Sequence, residues 1–410
     1  MATTDFDRSA AEARLLARAV ALRPHLLEQQ AATEARTFFA EETHELFKDA
    51  GFYLILAPRR FGGLELSISS FYKIMIEIAR GCPSSGWQLC LSAGHALQLA
   101  SYFPTLAQEE MFGCGKRQFI ASMSLAPQDA IARRVDAGYR LQGTWHFASG
   151  APWASHHIGL APVAPDASHA ESVPMLFVIP AAKFRRLDNW GDLIGLRGSG
   201  SHSLVVDETF IPAHHAVPFS FPVMDLGDDT PGYKLHGNAM YCGQFMGFAL
   251  GELNSVQTGN ALAMLDEYEQ IITSRSKMAI FGTAPRRYTD RDFQRCFGQA
   301  MAWTDAAHSI MVRTGELYEQ YCRESVARSA EFDAERTLRL YGQHMTVQKL
   351  CWEVGDTLFR TSSTSGARDG SRMQRYWRDL CAFRSNGLHQ FDFRAHALAQ
   401  AHFGLPVEFM

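Results

Sequence analysis

The sequence contains no Cys-x-x-Cys pair and no His-Glu-x-x-His spacing, so the usual sequence signatures of a zinc site are missing. Its eight cysteines are scattered at 82, 90, 114, 242, 296, 322, 351 and 381. That scatter excludes a dense disulfide framework and fits small core residues. The adjacent pairs His156-His157 and His214-His215 read as strand neighbours, which point to opposite faces, so no metal site is expected. No Gly-x-Gly-x-x-Gly follows a strand-like run, which argues against a nicotinamide site on this chain. Long apolar runs are missing too. The richest one, Ala239 to Gly251, is interrupted by Gln244 and closed by Glu252, short of the roughly 18 residues a membrane span needs. Charge of one sign does not dominate either: 39 basic against 43 acidic residues gives a net charge of −4 and no basic face for nucleic acid. Asp5 and Asp7 stand where a signal peptide would carry positive charge. The expectation is a cytoplasmic protein with neither a membrane nor a nucleic-acid partner.

What the sequence does have is core. Its 410 residues are 47% hydrophobic and 20% charged, enough for more than one packed core and too apolar for disorder. Residues 1–118 read as helical. Ile68, Phe71, Tyr72, Met75, Ile78 and Ala79 keep helical spacing until Gly81-Cys82-Pro83 ends the run. Ser85 to Phe103 is apolar on nearly every side, which predicts a buried helix. Residues 119–230 turn to β patterns, including a hairpin across Asp136-Ala137-Gly138. Residues 231–410 return to helix in four long stretches, 243–275, 290–323, 334–359 and 373–401, which suggest a bundle. The class is α+β, with an N-terminal helical domain, a middle β-barrel or sandwich domain and a C-terminal four-helix bundle.

Several strings sharpen this order. Gly138-Tyr-Arg-Leu-Gln-Gly-Thr-Trp-His-Phe-Ala-Ser-Gly150, Gly195-Leu-Arg-Gly-Ser-Gly-Ser201 and Met373-Gln-Arg-Tyr-Trp-Arg-Asp379 together resemble the acyl-CoA dehydrogenase superfamily. Trp145-x-Phe147-x-Ser149-Gly150 is similar to the form found in its two-component flavin-dependent monooxygenases, as is Ala79-Arg-Gly-Cys-Pro-Ser-Ser-Gly-Trp87 with His95 beyond it. The dehydrogenase branch needs a Glu base, and the family's usual place for it is Gly387 here. The second family location falls near Ala249 to Asn254, where Glu252 is a substitute; a helix-surface or capping role is its ordinary reading.

The resemblance therefore implies an oxygenase component that uses reduced flavin (FADH2 or FMNH2, the first preferred) and O2, through a C4a-hydroperoxide, on a small aromatic or indole-like substrate. A separate NAD(P)H:flavin reductase and a homotetramer built as a dimer of dimers are implied partners. By the same resemblance Trp145, Phe147, Ser149 and Gly150 line the flavin, with Ser149 a donor near N5. Arg275 at the end of the first bundle helix, with Ser363 and Ser365, is expected at the flavin phosphate or ribityl chain. Trp87, His95 and Met123 are expected at the substrate, and His95 as base or hydrogen-bond donor competes with a buried structural role. In one respect the sequence departs from this branch: Asn386 stands where its members carry a catalytic histidine, and His389 is the nearest replacement. An acyl-CoA dehydrogenase and a family member that binds ligand without chemistry remain the alternatives.

Overall fold

The computed structural model describes residues 7–113, 118–219, 230–277, 285–385 and 391–407. The first segment folds into α1 (Arg8–Arg36), α2 (Glu41–Ala50), α3 (Ile68–Gly81), α4 (Pro83–Tyr102) and α5 (Thr105–Phe112). Local chemistry sets their ends. Asp7 caps α1 by accepting from the Ala10 N–H, and Ser67 caps α3 through the Ser70 N–H. Pro83 occupies the first turn of α4, where its missing N–H costs nothing. The apolar stripe of α3 is buried as its spacing predicts, and almost every residue of α4 is buried.

The middle segment forms β1 (Ala121–Ser124), β2 (Pro127–Val135), β3 (Gly138–Trp145), β4 (His156–Val163), β5 (Val173–Pro180), β6 (Arg185–Arg186), β7 (Leu204–Pro212) and β8 (Ala216–Pro218). They make one mixed sheet in the order β6-β7-β3-β2-β4-β5-β8. Strand β1 runs parallel to β4, pairing Ala121 with His156 through Ser124 with Gly159, and β2 meets the same strand further along at Ala132 and Val163. The predicted hairpin is β2–β3, with Val135 opposite Gly138. Trp145, Leu141, Phe177, Ile179 and Val206 fill a core of the sheet's own.

The last segment gives α6 (Pro231–His236), α7 (Phe245–Ser274), α8 (Arg291–Val326), α9 (Ala334–Thr361), α10 (Arg372–Arg384) and α11 (Phe391–His402). Three of the four long predicted helices are α7, α8 and α9. The fourth is a correction: the 373–401 stretch holds two helices, because α10 closes at Ser385, whose N–H reaches the Cys381 and Phe383 carbonyls. Ser-Asn-Gly at 385–387 are poor helix formers, which periodicity alone does not weigh. Helices α3 and α4 pack against α7, so N- and C-terminal helices share one hydrophobic core. The seam between α4, α7 and β1 positions the site. No helix among the described residues is long and apolar enough to cross a membrane.

Candidate active site

Along that seam lies a cavity of about 790 Å³, within the range typical of small-molecule sites. Its walls come from four directions: Trp87, Leu91 and His95 from α4, Met123 from β1, Ser149, Ser199 and Ser201 from loops of the β segment, and Glu252 from α7. Phe383 and Ser385 close it from the end of α10. Among the described residues no Lys or Arg lines it.

His95 is held from behind. Its Nδ1 donates to the Ala121 carbonyl of β1 at 2.7 Å, which fixes the neutral tautomer that carries its free lone pair on Nε2. Burial pushes its pKa down to about 4, only partly opposed by that carbonyl, so the ring is uncharged near neutral pH. Nε2 has no hydrogen-bond partner among the described residues, and the side chain lines the cavity. It is therefore an acceptor on offer. Behind it His157, with Nδ1 3.0 Å from Ser122 Oγ, is likewise buried and pushed down to about 3.

Ser149 is the centre of a chain of hydroxyls. The Trp87 indole N–H donates to Ser149 Oγ at 2.8 Å, Ser149 and Ser201 hydroxyls lie 2.7 Å apart, and Ser201 and Ser199 2.8 Å apart. The Trp87 ring is in turn braced edge-on by Phe383 at 4.8 Å between centroids. Because the indole can only donate, it takes one lone pair of Ser149 and leaves the serine proton free for Ser201 or for a ligand. Ser199 and Ser201 escaped the choice of site residues although they sit in the Gly195–Ser201 string. The signal was there: a run of alternating Gly and Ser marks backbone that approaches something closely.

Other assignments divide. Phe147 lines the cavity with its ring 64% exposed, its backbone at φ +59°, and Trp190 packed edge-on at 6.1 Å. Trp145 does not line it. Fully buried in the sheet core, it donates its indole N–H to the Leu160 carbonyl at 2.7 Å and shows no face to a cofactor. Alternation along β3 explains this correction, since Trp145 points into the sheet core and its neighbours cannot. Gly150 is a turn residue at φ +81° beside Ser149, packed over Ser92, and is absent from the cavity wall. Arg275, Ser363 and Ser365 form a separate group: an Arg275 guanidinium N–H donates to the Ser365 hydroxyl, which lies 3.0 Å from that of Ser363. Asn386 and His389 lie outside the described residues.

Two expectations need correcting on geometry. Glu252 is neither a surface nor a capping residue; it is 1% exposed, two turns into α7, and lines the cavity. Its Oε1 is buried without a partner, and desolvation drives its pKa well above the usual carboxylate range, which favours the protonated carboxyl. His214 and His215 sit on a single 3-10 turn, Ala213–His215, not on a strand. Both rings therefore reach one carboxylate, with Glu110 3.0 Å from His214 Nε2 and 2.6 Å from His215 Nε2. These three side chains make the one group of metal-ligand type found among the described residues. Their spacing is equally that of two imidazole N–H groups donating to a carboxylate.

The strings singled out in the sequence meet behind the cavity. Asp379 Oδ1 accepts the Leu196 N–H at 2.6 Å, where Leu196 sits at φ +53° and lines the cavity. Arg375 and Arg378 of the same helix each bind Glu34 of α1 at 2.7 Å. A side chain at Gly195 would start 2.1 Å from the Arg378 carbonyl, so only glycine admits this close approach.

The donor set suits a reduced flavin: hydroxyls and indole at one wall for a polar ring edge, aromatic rings around it, and a guanidinium with two serines elsewhere for phosphate. Models of the acyl-CoA dehydrogenase N-terminal and C-terminal domains match residues 10–112 and 253–391. The chain is similar to a flavin-dependent monooxygenase, oxygenase subunit HsaA, of Rhodococcus jostii (strain RHA1), at 28% identity over 94% of this chain and 97% of that one. An indole-3-acetate monooxygenase of Pseudomonas putida is 32% identical over 167 residues, 41% of each chain. Among solved structures, a 3-HSA hydroxylase from Rhodococcus sp. RHA1 superposes with a TM-score of 0.85 at 25% identity, covering 96% of this chain and 98% of that one.

Proposed function

The chain belongs to the acyl-CoA dehydrogenase family, and on that premise we propose that it is the oxygenase component of a two-component flavin-dependent monooxygenase acting on a small aromatic substrate. The observation that carries this reading is one cavity in which a linked Trp87–Ser149–Ser201–Ser199 set faces the same apolar space as an unpaired His95 Nε2. Bound there, reduced flavin would supply the electrons that activate O2. The chain's own residues would do three things. The apolar walls exclude water, which otherwise wastes the oxygen chemistry as hydrogen peroxide. The Ser149 hydroxyl, oriented by Trp87, gives a fixed donor to a polar ring edge. His95, neutral and anchored on Ala121, takes or orients a proton of the substrate through Nε2.

Several finer assignments belong to the same proposal. Arg275 with Ser363 and Ser365 would hold flavin phosphate, since a planar guanidinium binds phosphate oxygens in pairs. FAD or FMN would supply that phosphate, FAD being preferred, reached across a subunit boundary in a homotetramer. The division into units 1–118, 119–230 and 231–410 and the supply of electrons by a separate NAD(P)H-dependent reductase complete it. Asn386 or His389 would complement His95. The dehydrogenase alternative is weaker, because burial favours the protonated form of Glu252 and no cation lines the cavity among the described residues to hold a carboxylate.

The test is to mix the protein, loaded without oxygen with reduced FAD or reduced FMN, with oxygenated buffer and a panel of phenols and indoles. Hydroxylated product in proportion to reduced flavin consumed is the expected result. Reduction of bound flavin by an acyl-CoA thioester, with no oxygenated product, would assign the chain to the dehydrogenases instead.

A further inference from the structure

Glu252 has a function to explain. Its carboxyl is buried in the N-terminal third of α7, and Oε1 has no hydrogen-bond partner among the described residues, while burial drives its pKa well above the usual carboxylate range. Unpaired buried polar groups are rare in folded proteins and persist where the ligand, not the protein, completes the bond. The fold is arranged to admit this one. Gly94 of α4 lies opposite, and a Cβ there would stand 1.9 Å from Oε1 and 2.8 Å from the carboxyl carbon, so any other residue would displace the acid. The flanking groups are otherwise engaged. Tyr72 donates its hydroxyl to the Phe248 carbonyl at 3.2 Å, and Cys90 directs its thiol to the backbone carbonyl of Glu252 at 3.4 Å. No Lys or Arg lines the cavity among the described residues, so nothing there compensates a negative charge.

We propose that Glu252 is a specificity-determining residue that donates a hydrogen bond to an acceptor on the substrate, and that the site selects uncharged aromatic molecules pairing such an acceptor with a hydroxyl or N–H taken by His95 Nε2. The proposal rests on the oxygenase reading and names the substrate class of the same site. The complementarity is simple. His95 offers only a lone pair inward, and Glu252 offers an O–H, so a substrate with one donor and one acceptor satisfies both buried groups. A carboxylate-bearing ring also brings an acceptor, but it would enter as an anion and give up its hydration with no cation among the described residues to meet it, which is costly. This chain should therefore differ from its arylacetate-named relative in refusing the acid side chain.

The experiment is isothermal titration of the full chain, loaded with reduced FAD under nitrogen, with three probes of similar size. These are 4-hydroxyacetophenone (hydroxyl plus neutral acceptor), 4-ethylphenol (hydroxyl alone) and 4-hydroxyphenylacetate (hydroxyl plus anion). The ketone should bind about tenfold or more tighter than either of the others. Glu252→Met should erase its advantage over 4-ethylphenol without weakening 4-ethylphenol, whereas Glu252→Gln, which keeps a donor and the volume, should retain it. A merely structural role would weaken all three probes together. Equal or tighter binding of the arylacetate, survival of the preference in Glu252→Met, loss of it in Glu252→Gln, or no binding of the ketone would each overturn the proposal. Calorimetry needs no turnover, so failure of the oxygenase reading would show as selective binding without product, and failure of this inference as binding without the preference.

Discussion

Replacing Ser149 by alanine removes one oxygen and two hydrogen bonds. The Trp87 indole N–H loses its acceptor at 2.8 Å, and Ser201 loses a partner at 2.7 Å but keeps Ser199 at 2.8 Å. Only Trp87 is left wanting, and its side chain is half-buried, so water can reach part of the vacated space. A buried donor stripped of its acceptor costs about 1–3 kcal/mol, and partial exposure puts this one at the low end. In a chain this long, about 1 kcal/mol moves the melting temperature by about 2 °C or less. The folded enzyme should thus survive nearly intact. Function should not. If the Ser149 hydroxyl contributes about 1–3 kcal/mol to the productive arrangement, its loss changes the ratio of hydrogen peroxide to product by roughly 5- to 150-fold.

The assay consumes a known amount of reduced flavin, quantifies product by chromatography and measures peroxide by the oxygen returned on adding catalase. Ser201→Ala is the control, because it leaves Ser149 in place with its Trp87 donor. A large rise in peroxide for Ser149→Ala and a small one for Ser201→Ala is the expected pattern. Unchanged coupling in Ser149→Ala, with only a small fall in melting temperature, would make Ser149 an ordinary turn serine and refute the reasoning.

Four further outcomes follow from the geometry. His95→Asn should cut product formation by roughly 100-fold while peroxide still forms, measured with the same two readouts; equal loss of both would mean the imidazole is structural. His95 has a folded pKa of about 4, below the ordinary 6.5, so it takes a proton more readily in the unfolded chain. The wild type should lose stability relative to His95→Asn as pH falls from about 6.5 towards 4, and titrating melting temperatures of the pair checks the sign. Asp379 runs the other way. Burial raises its pKa to about 7, above its ordinary 3.8, so its stability contribution is full below pH 4 and is lost as pH rises to 7. Asp379→Asn, which keeps an acceptor for the Leu196 N–H, should therefore gain on the wild type by up to roughly 4 kcal/mol between those limits in denaturant melts, and hold that gain above pH 7. Finally, Gly94→Ala adds about 1 kcal/mol of helix propensity but drives its Cβ into the Glu252 carboxyl, so ligand binding should fall more than melting temperature does.

What was legible in the sequence is what repeats along the chain. The stripe on α3 and the all-round apolar character of α4 are periodic, and the structure buries both as expected. The Arg-Asp pair and the Gly195 string could be recognised apart, but not their reason for existing, which is a contact between them: Asp379 on Leu196 and Gly195 under Arg378. Errors arose where a single residue's direction decided the matter. Trp145 and Phe147 are two positions apart in one quoted string, yet the first ends inside the sheet core and the second, off the end of β3 at positive φ, opens to the cavity. Strand geometry predicts diverging rings for His214 and His215, whereas the single 3-10 turn that carries them lets both reach Glu110.

Glu252 shows why the remainder could not be read. A lone glutamate among apolar residues looks the same in sequence whether it faces water or the interior of a protein. Which of these it does depends on the packing of α4 against α7 and on Gly94, 158 positions earlier. The same packing that hides the acid also protonates it, since burial alone pushes its pKa upward. Charge in this cavity is therefore a product of the tertiary fold. His95 is neutral because α4 is buried against β1, and Glu252 is neutral because α7 is buried against α4. Two residues that would be ionised or readily ionised in water become one acceptor and one donor, both facing an apolar space with no described cation. A polar pair of that kind rewards an uncharged partner that offers the opposite pattern.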